Sequence, residues 1–230
     1  IEHGPLECLF TVDEETGLTG AFALKEGFMN GDILLNLDSE DEGEIFIGCA
    51  GGIDTVIRLP YRKMVLPAHK FAVQVKVKGL QGGHSGDDIN KGRANANKLL
   101  NRFLTQLASK YILYLCEIDG GNLHNAIPRE AQALCAVPMK DKESVRVDLN
   151  IYTAELENEY AATEPNLRTE LSSESPCKEA IDMTTAGHLL RAVYAVHNGV
   201  YAMSQDIPGL VETSSNLASI KQVEGNKIKI

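Results

Sequence analysis

Four short stretches of the 230-residue chain carry side chains suited to chemistry. Glu14 and Glu15 are adjacent at the end of the apolar run Leu6–Val12, and on an extended strand end their side chains diverge, so two carboxylates could do different work at one site. Holding a cation with one and taking the proton of a water with the other would be such work. Asp38 closes a second apolar run, Ile33–Asp38, where an isolated carboxylate is costly unless paired or metal-bound. His84 stands in Gly82-Gly83-His84-Ser85-Gly86, whose glycines let backbone approach a ligand closely. An imidazole donor on such a loop could stabilise a tetrahedral oxyanion. Asn125, in Asn125-Ala126-Ile127-Pro128-Arg129, reads either as a turn former or as an amide that binds a substrate carboxylate. Each feature taken singly also has an ordinary reading: solvated glutamates, a loop histidine, a turn asparagine.

The elements that would position these residues fall into two regions. Leu6–Val12, Ile33–Asp38 and Glu44–Cys49 read as strands, with a short helix over Gly20–Gly27 between the first two. Strand, helix, strand is α/β grammar, and Ile33, Leu34 and Leu35 in a row suit a parallel strand buried on both faces. Acidic clusters then begin where the first two strands stop, the end at which open α/β sheets place their chemistry. Beyond Gly51-Gly52 the pattern changes. Phe71, Val73, Val75 and Val77 alternate as a half-buried strand ending near Gly79. Leu100, Phe103, Leu104 and Leu107 predict a helix within Arg93–Lys110, and Val145, Leu149, Tyr152 and Leu156 predict another. Tyr111–Asp119 and Glu130–Val137 read as strands. Ser175-Pro176 is expected to open a third helix that Gly199 ends, and the tail reads as a hairpin about Gly225-Asn226.

Composition narrows the function classes. The net charge of −10 argues against nucleic-acid binding, which needs clustered Lys and Arg. No apolar run reaches the roughly 18 residues of a membrane span. The acidity is local, with 12 Asp or Glu and a single Lys in residues 1–50. That segment is either a solvated acidic surface or a set of carboxylates converging on a cation. Five scattered cysteines without a Cys-x-x-Cys pair suit a reducing cytoplasm. His3, His69, His124, His188 and His197 form no metal-ligand spacing.

Taken in order, Thr11-Val12-Asp13-Glu14-Glu15-Thr16-Gly17, Asp38-Ser39-Glu40, Gly82-Gly83-His84-Ser85-Gly86 and Asn125-Ala126-Ile127-Pro128-Arg129-Glu130-Ala131 resemble the co-catalytic zinc peptidase superfamily that includes carnosinases. The run Leu37–Asp54 is similar to its aminoacyl-histidine dipeptidase branch, and the likeness extends over essentially the whole chain. The resemblance implies an α/β fold class, with residues 1–53 the end of a zinc-peptidase catalytic domain and residues 54–230 an α+β lid of one sheet layer and one helix layer, truncated at its C-terminal end. It implies hydrolysis of unblocked dipeptides, Xaa-His among them, with two zinc ions per active site in the intact enzyme or other divalent metals in their place. Glu14 would be the general base, Glu15 a ligand of one zinc and Asp38 a ligand of the other. His84 would support the oxyanion, in a site of the partner subunit in dimeric relatives, and Asn125 would hold the substrate carboxylate. A homodimer joined through the lid, in the cytoplasm, is expected.

The family pattern also needs an upstream His-x-Asp, a bridging Asp, a histidine ligand near the carboxyl end and a substrate-binding Arg. None of these is found in this sequence, so the chain reads as a middle section that alone binds zinc weakly or not at all and is inactive. The alternative from another class is a non-catalytic binding or dimerisation module.

Overall fold

The computed structural model describes residues 2–14, 17–38, 42–175 and 177–230. The chain divides into two compact units, Ile1–Ile53 and Asp54–Ile230.

Among the described residues of the first unit the only helix is α1 (Thr19–Phe22), and there is no strand. The runs expected as strands are present but unpaired: Ile33 is 83% exposed, Leu35 76% and Ile47 fully. A strand exists through hydrogen bonds to neighbours, and a doubly buried one also needs layers on both faces. Nothing described within this unit supplies either. What order it has comes from a few turn and side-chain hydrogen bonds. Gly17 and Leu18 N–H donate to the Glu14 carbonyl, Gly20 N–H to the Val12 carbonyl, and the Thr19 hydroxyl to Asp13. The Glu7 carboxylate accepts from the Asn30 side chain, the Asn30 backbone and Gly31, and these bonds, the side-chain one foremost, hold its carboxyl below the ordinary range.

The second unit contains, in chain order, β1 (Arg58–Pro60), β2 (Lys63–Val65), β3 (Lys70–Lys78), β4 (Gly83–His84), α2 (Ala96–Lys110), β5 (Tyr114–Gly120), β6 (Ala126–Ile127), β7 (Ala131–Pro138), α3 (Lys142–Glu159), β8 (Arg168–Glu174), β9 (Glu179–Ile181), α4 (Met183–Ala195), β10 (Gly199–Met203), β11 (Val211–Ser215), β12 (Ile220–Val223) and β13 (Lys227–Lys229). Seven strands form one sheet in the order β1-β13-β12-β5-β7-β3-β8, with every pairing antiparallel. Three short ribbons stand outside it: β10-β11, β2-β9 and β4-β6.

Alternation decides the layers. Phe71, Val73, Val75 and Val77 of β3 and Ala131, Ala133, Cys135 and Val137 of β7 join the buried residues of all three long helices in a single core. Each Val, Leu or Phe removed from water there contributes about 1.5–3 kcal/mol. The other sheet face carries a smaller cluster of Tyr114, Cys116, Ala136 and Ala180. Helix α3 buries Val145, Leu149, Tyr152 and Leu156, the four residues its periodicity marks, and Tyr152 stacks on Phe103 of α2 at 5.2 Å between ring centroids. Its hydroxyl donates to the Leu99 carbonyl at 2.8 Å.

The third helix departs from the expectation. It begins at Met183 with Asp182 as its cap, because Glu179–Ile181 is taken up as β9 against β2, burying Ala180 and Ile181. Ser175 precedes that strand rather than the helix, and Pro176 lies outside the described residues. The helix stops at Ala195, and Gly199, with φ +109°, opens β10. The terminal hairpin forms as β12-β13 about Gly225-Asn226, and β13 also pairs with β1.

Candidate active-site face of the second unit

His84 and Asn125, 41 residues apart in sequence, are neighbours in the fold. β4 and β6 pair with Gly83 opposite Ile127 and His84 opposite Ala126, and Ser85 N–H donates to the Asn125 carbonyl at 2.8 Å. Asn125 thus sits one residue before the position facing His84, at the open end of the same ribbon.

The glycines explain why the ribbon can form. Gly82 and Gly83 have φ of +66° and +136°, backbone that side-chain-bearing residues rarely adopt, and a Cβ at Gly83 would collide with Asp88 and the Arg93 guanidinium. Asp88 organises the loop from inside. It accepts from His84 N–H at 2.8 Å and pairs with Lys91 at 2.6 Å and Arg93 at 3.0 Å. The Lys91 hydrogen bond, then that of His84, holds the Asp88 carboxyl below the ordinary range.

These contacts orient the imidazole. His84 Nδ1 accepts from the backbone N–H of Gly86 at 3.2 Å and of Asp87 at 3.3 Å. An acceptor at Nδ1 places the proton of the neutral ring on Nε2. The side chain is 52% exposed, so a donor-bearing imidazole is presented outward. The Asp87 carboxylate lies 3.4 Å from the same nitrogen.

Two supports were not legible in the sequence. Glu164, 3% exposed, clasps both ends of the His84 loop: one oxygen accepts from Gln81 N–H at 2.7 Å and the other from Ala94 N–H at 2.9 Å. The second support consists of asparagines. Asn95 caps α2 by accepting from Lys98 N–H and donates to Asn198, Asn216 and the Leu217 carbonyl, while Asn216 donates to the Ala126 carbonyl at 2.7 Å. Asn95 at the cap and Asn97 and Asn101 within α2 are almost wholly buried. Polar residues inside an apolar helical pattern were the one available signal of such a network, since buried amides must find partners.

The remaining expected site residues lie in the first unit. Glu14 is exposed, at the turn closed by its own carbonyl. Asp38 is exposed and its N–H donates to the Asn36 side chain at 3.0 Å. Glu15 lies outside the described residues. Among the described residues no three His, Cys, Asp or Glu side chains gather as a metal would need. Glu15 and Asp38 would be two ligands where a pair of zinc ions takes about six or more. The residues present therefore do not fit a complete two-metal centre.

Residues 75–164, which include His84, Asn125 and Glu164, match the peptidase dimerisation domain family. The chain is 42% identical over 226 residues to the cytosol non-specific dipeptidase of Escherichia coli (strain K12), an alignment spanning 98% of this chain and 47% of that protein. The crystal structure of aminoacylhistidine dipeptidase from Vibrio alginolyticus superposes with a TM-score of 0.83 at 42% identity, covering 95% of this chain and 44% of that one. The chain thus spans less than half the length of either relative. In sequence and in fold the chain is similar to the aminoacylhistidine and cytosol non-specific dipeptidases, and its residues 75–164 match the peptidase dimerisation domain family.

Proposed function

We propose that the chain is part of a metallo-dipeptidase that cleaves unblocked dipeptides, Xaa-His among them. Residues 1–53 are the end of its catalytic domain, and residues 54–230 are the lid that presents His84 and Asn125 to the substrate. The observation that carries this reading is the β4-β6 pairing, which fixes an outward Nε2 donor and an amide-bearing residue at one end of one ribbon. Hydrolysis of a peptide bond concentrates negative charge on the former carbonyl oxygen, and a donor preorganised for that charge lowers the barrier. His84 Nε2–H is such a donor. The Asn125 amide donates to the C-terminal carboxylate, selecting substrates that end one residue after the scissile bond. Glu14 accepts the proton of the attacking water and delivers it to the leaving amine. Zinc is the metal we propose for the complete enzyme, held in part by Glu15 and Asp38.

The lid is also the proposed dimer contact. β8 is one of the two outer strands of the sheet, β1 being the other; it pairs only with β3 among the described residues, and so long an edge offers backbone donors and acceptors to a second copy. A cytosolic location is proposed by likeness to the Escherichia coli relative; no described helix is long and apolar enough to cross a membrane.

Incubating the complete, zinc-loaded polypeptide with Gly-His and with its N-acetylated form tests the reading. Release of histidine from the unblocked peptide alone is expected. No cleavage of either would favour the alternative, in which the second unit is a non-catalytic dimerisation module.

A further inference from the structure

We infer that Asn216 is a positioning residue for substrate-carboxylate recognition: it fixes the peptide units that carry Asn125, without touching substrate itself. The inference rests on the reading of Asn125 given above.

The geometry is that of a two-residue strand held on both edges. On one edge of β6 the Asn125 carbonyl accepts from Ser85 N–H at 2.8 Å. On the other, the next carbonyl, that of Ala126, accepts from the Asn216 side chain at 2.7 Å. So short a strand has too few ladder bonds to hold its own orientation, and Asn216 stands where a third strand would otherwise be. The amide of Asn216 is not free to turn. Its oxygen accepts from Asn95 at 3.3 Å, which leaves its NH2 group facing Ala126. Asn95 is 3% exposed and is itself fixed by capping α2 and by donating to Asn198 at 2.8 Å and to the Leu217 carbonyl at 3.1 Å. Asn198 in turn accepts from Leu217 N–H at 2.8 Å, closing the base of the β10-β11 ribbon. The orientation of the Asn125 backbone is thus set through one side chain by the helix core and by residues 198–217. Residues 198–217 lie outside the span that matches the dimerisation domain family, and Asn95 lies within it.

The consequence is specific. A residue that merely stabilised the fold would weaken all ligands alike, whereas one that aims Asn125 controls the preference for a free carboxylate. The measurement is competitive inhibition of the complete enzyme by histidine and by histidinamide, which differ in that carboxylate. Asn125→Ala is expected to lower the ratio of the inhibition constant of histidinamide to that of histidine by about tenfold, the scale of one hydrogen bond. Asn216→Ala is expected to lower it comparably, and the double variant to go little further, because both act through one contact. Asn216→Asp keeps the side chain's shape but turns a carboxylate oxygen toward the Ala126 carbonyl, and serves as a second variant with the same expected loss. A ratio that falls in Asn125→Ala but stays at the wild-type value in both Asn216 variants would overturn the inference and leave the reading of Asn125 standing. A ratio unchanged in Asn125→Ala would overturn that reading, and the inference with it.

Discussion

Ser85 donates its backbone N–H to the carbonyl of Asn125, joining the residue after His84 to the head of the second motif at 2.8 Å. Through that bond, two motifs separated by helix α2 and strand β5 become one ribbon, and the residues proposed as oxyanion donor and carboxylate binder are held in fixed backbone relation. Such preorganisation lets a donor act without reorganising during the reaction.

Glu164 should be the main support of the His84 loop. Glu164→Ala leaves the Gln81 and Ala94 N–H groups without partners, Ala94 being 2% exposed, and should cost about 2–4 kcal/mol. Urea denaturation measures the loss, and hydrogen exchange should show both amides losing protection while the Leu104 amide in α2 stays protected. Equal protection at Gln81 and Ala94 in the variant would contradict the clasp.

Asp182 caps α4, accepting from Thr185 N–H at 3.0 Å and from Arg62 N–H at 3.1 Å. The Thr185 backbone bond, foremost among several, depresses its carboxyl below the ordinary range. A depressed carboxylate contributes stability above its unfolded pKa, about 4, and that contribution disappears as pH falls through the lower folded value. Asp182→Ala should therefore cost about 1 kcal/mol at pH 7. The two proteins should converge in stability below about pH 4. A gap of constant size down to pH 3 would contradict the assignment.

Much of the second unit is legible in the sequence because its helices and long strands are amphipathic: the alternation in β3 and the i, i+4, i+7, i+11 spacing in α3 state directly which side chains are buried. Elements fixed by partners distant in sequence are not. β9 displaces an expected helix start because β2, more than a hundred residues earlier, pairs with it. The same division holds at the site. His84 and Asn125 announce themselves through glycines and a turn, whereas Glu164 and Asn216 act through backbone groups 70–90 residues away and carry no local signature. In the first unit the apolar runs are plain, yet strands form only where partners exist.

The 230-residue chain alone should bind zinc weakly and hydrolyse no dipeptide, since Glu15 and Asp38 are too few ligands for two ions. Isothermal calorimetry with zinc checks the first and a Gly-His assay the second. Tight stoichiometric zinc would show that the chain holds a centre these residues do not account for.

Glu14 and Glu15 should separate by readout in the complete enzyme. Glu14→Gln keeps shape but cannot accept a proton, so turnover should be lost with metal retained. Glu15→Gln should lose metal first. Zinc analysis alongside kcat distinguishes them, and near-normal turnover in Glu14→Gln with metal bound would refute the base assignment.

The most direct test of the account is His84→Ala in the complete enzyme, with kcat, zinc content and thermal stability measured on the same preparation. If the outward Nε2–H is an oxyanion donor, kcat should fall by about two to three orders of magnitude while zinc content and stability hold. Unchanged turnover would make His84 an ordinary loop histidine, and loss of zinc would make it a ligand; either result contradicts the account.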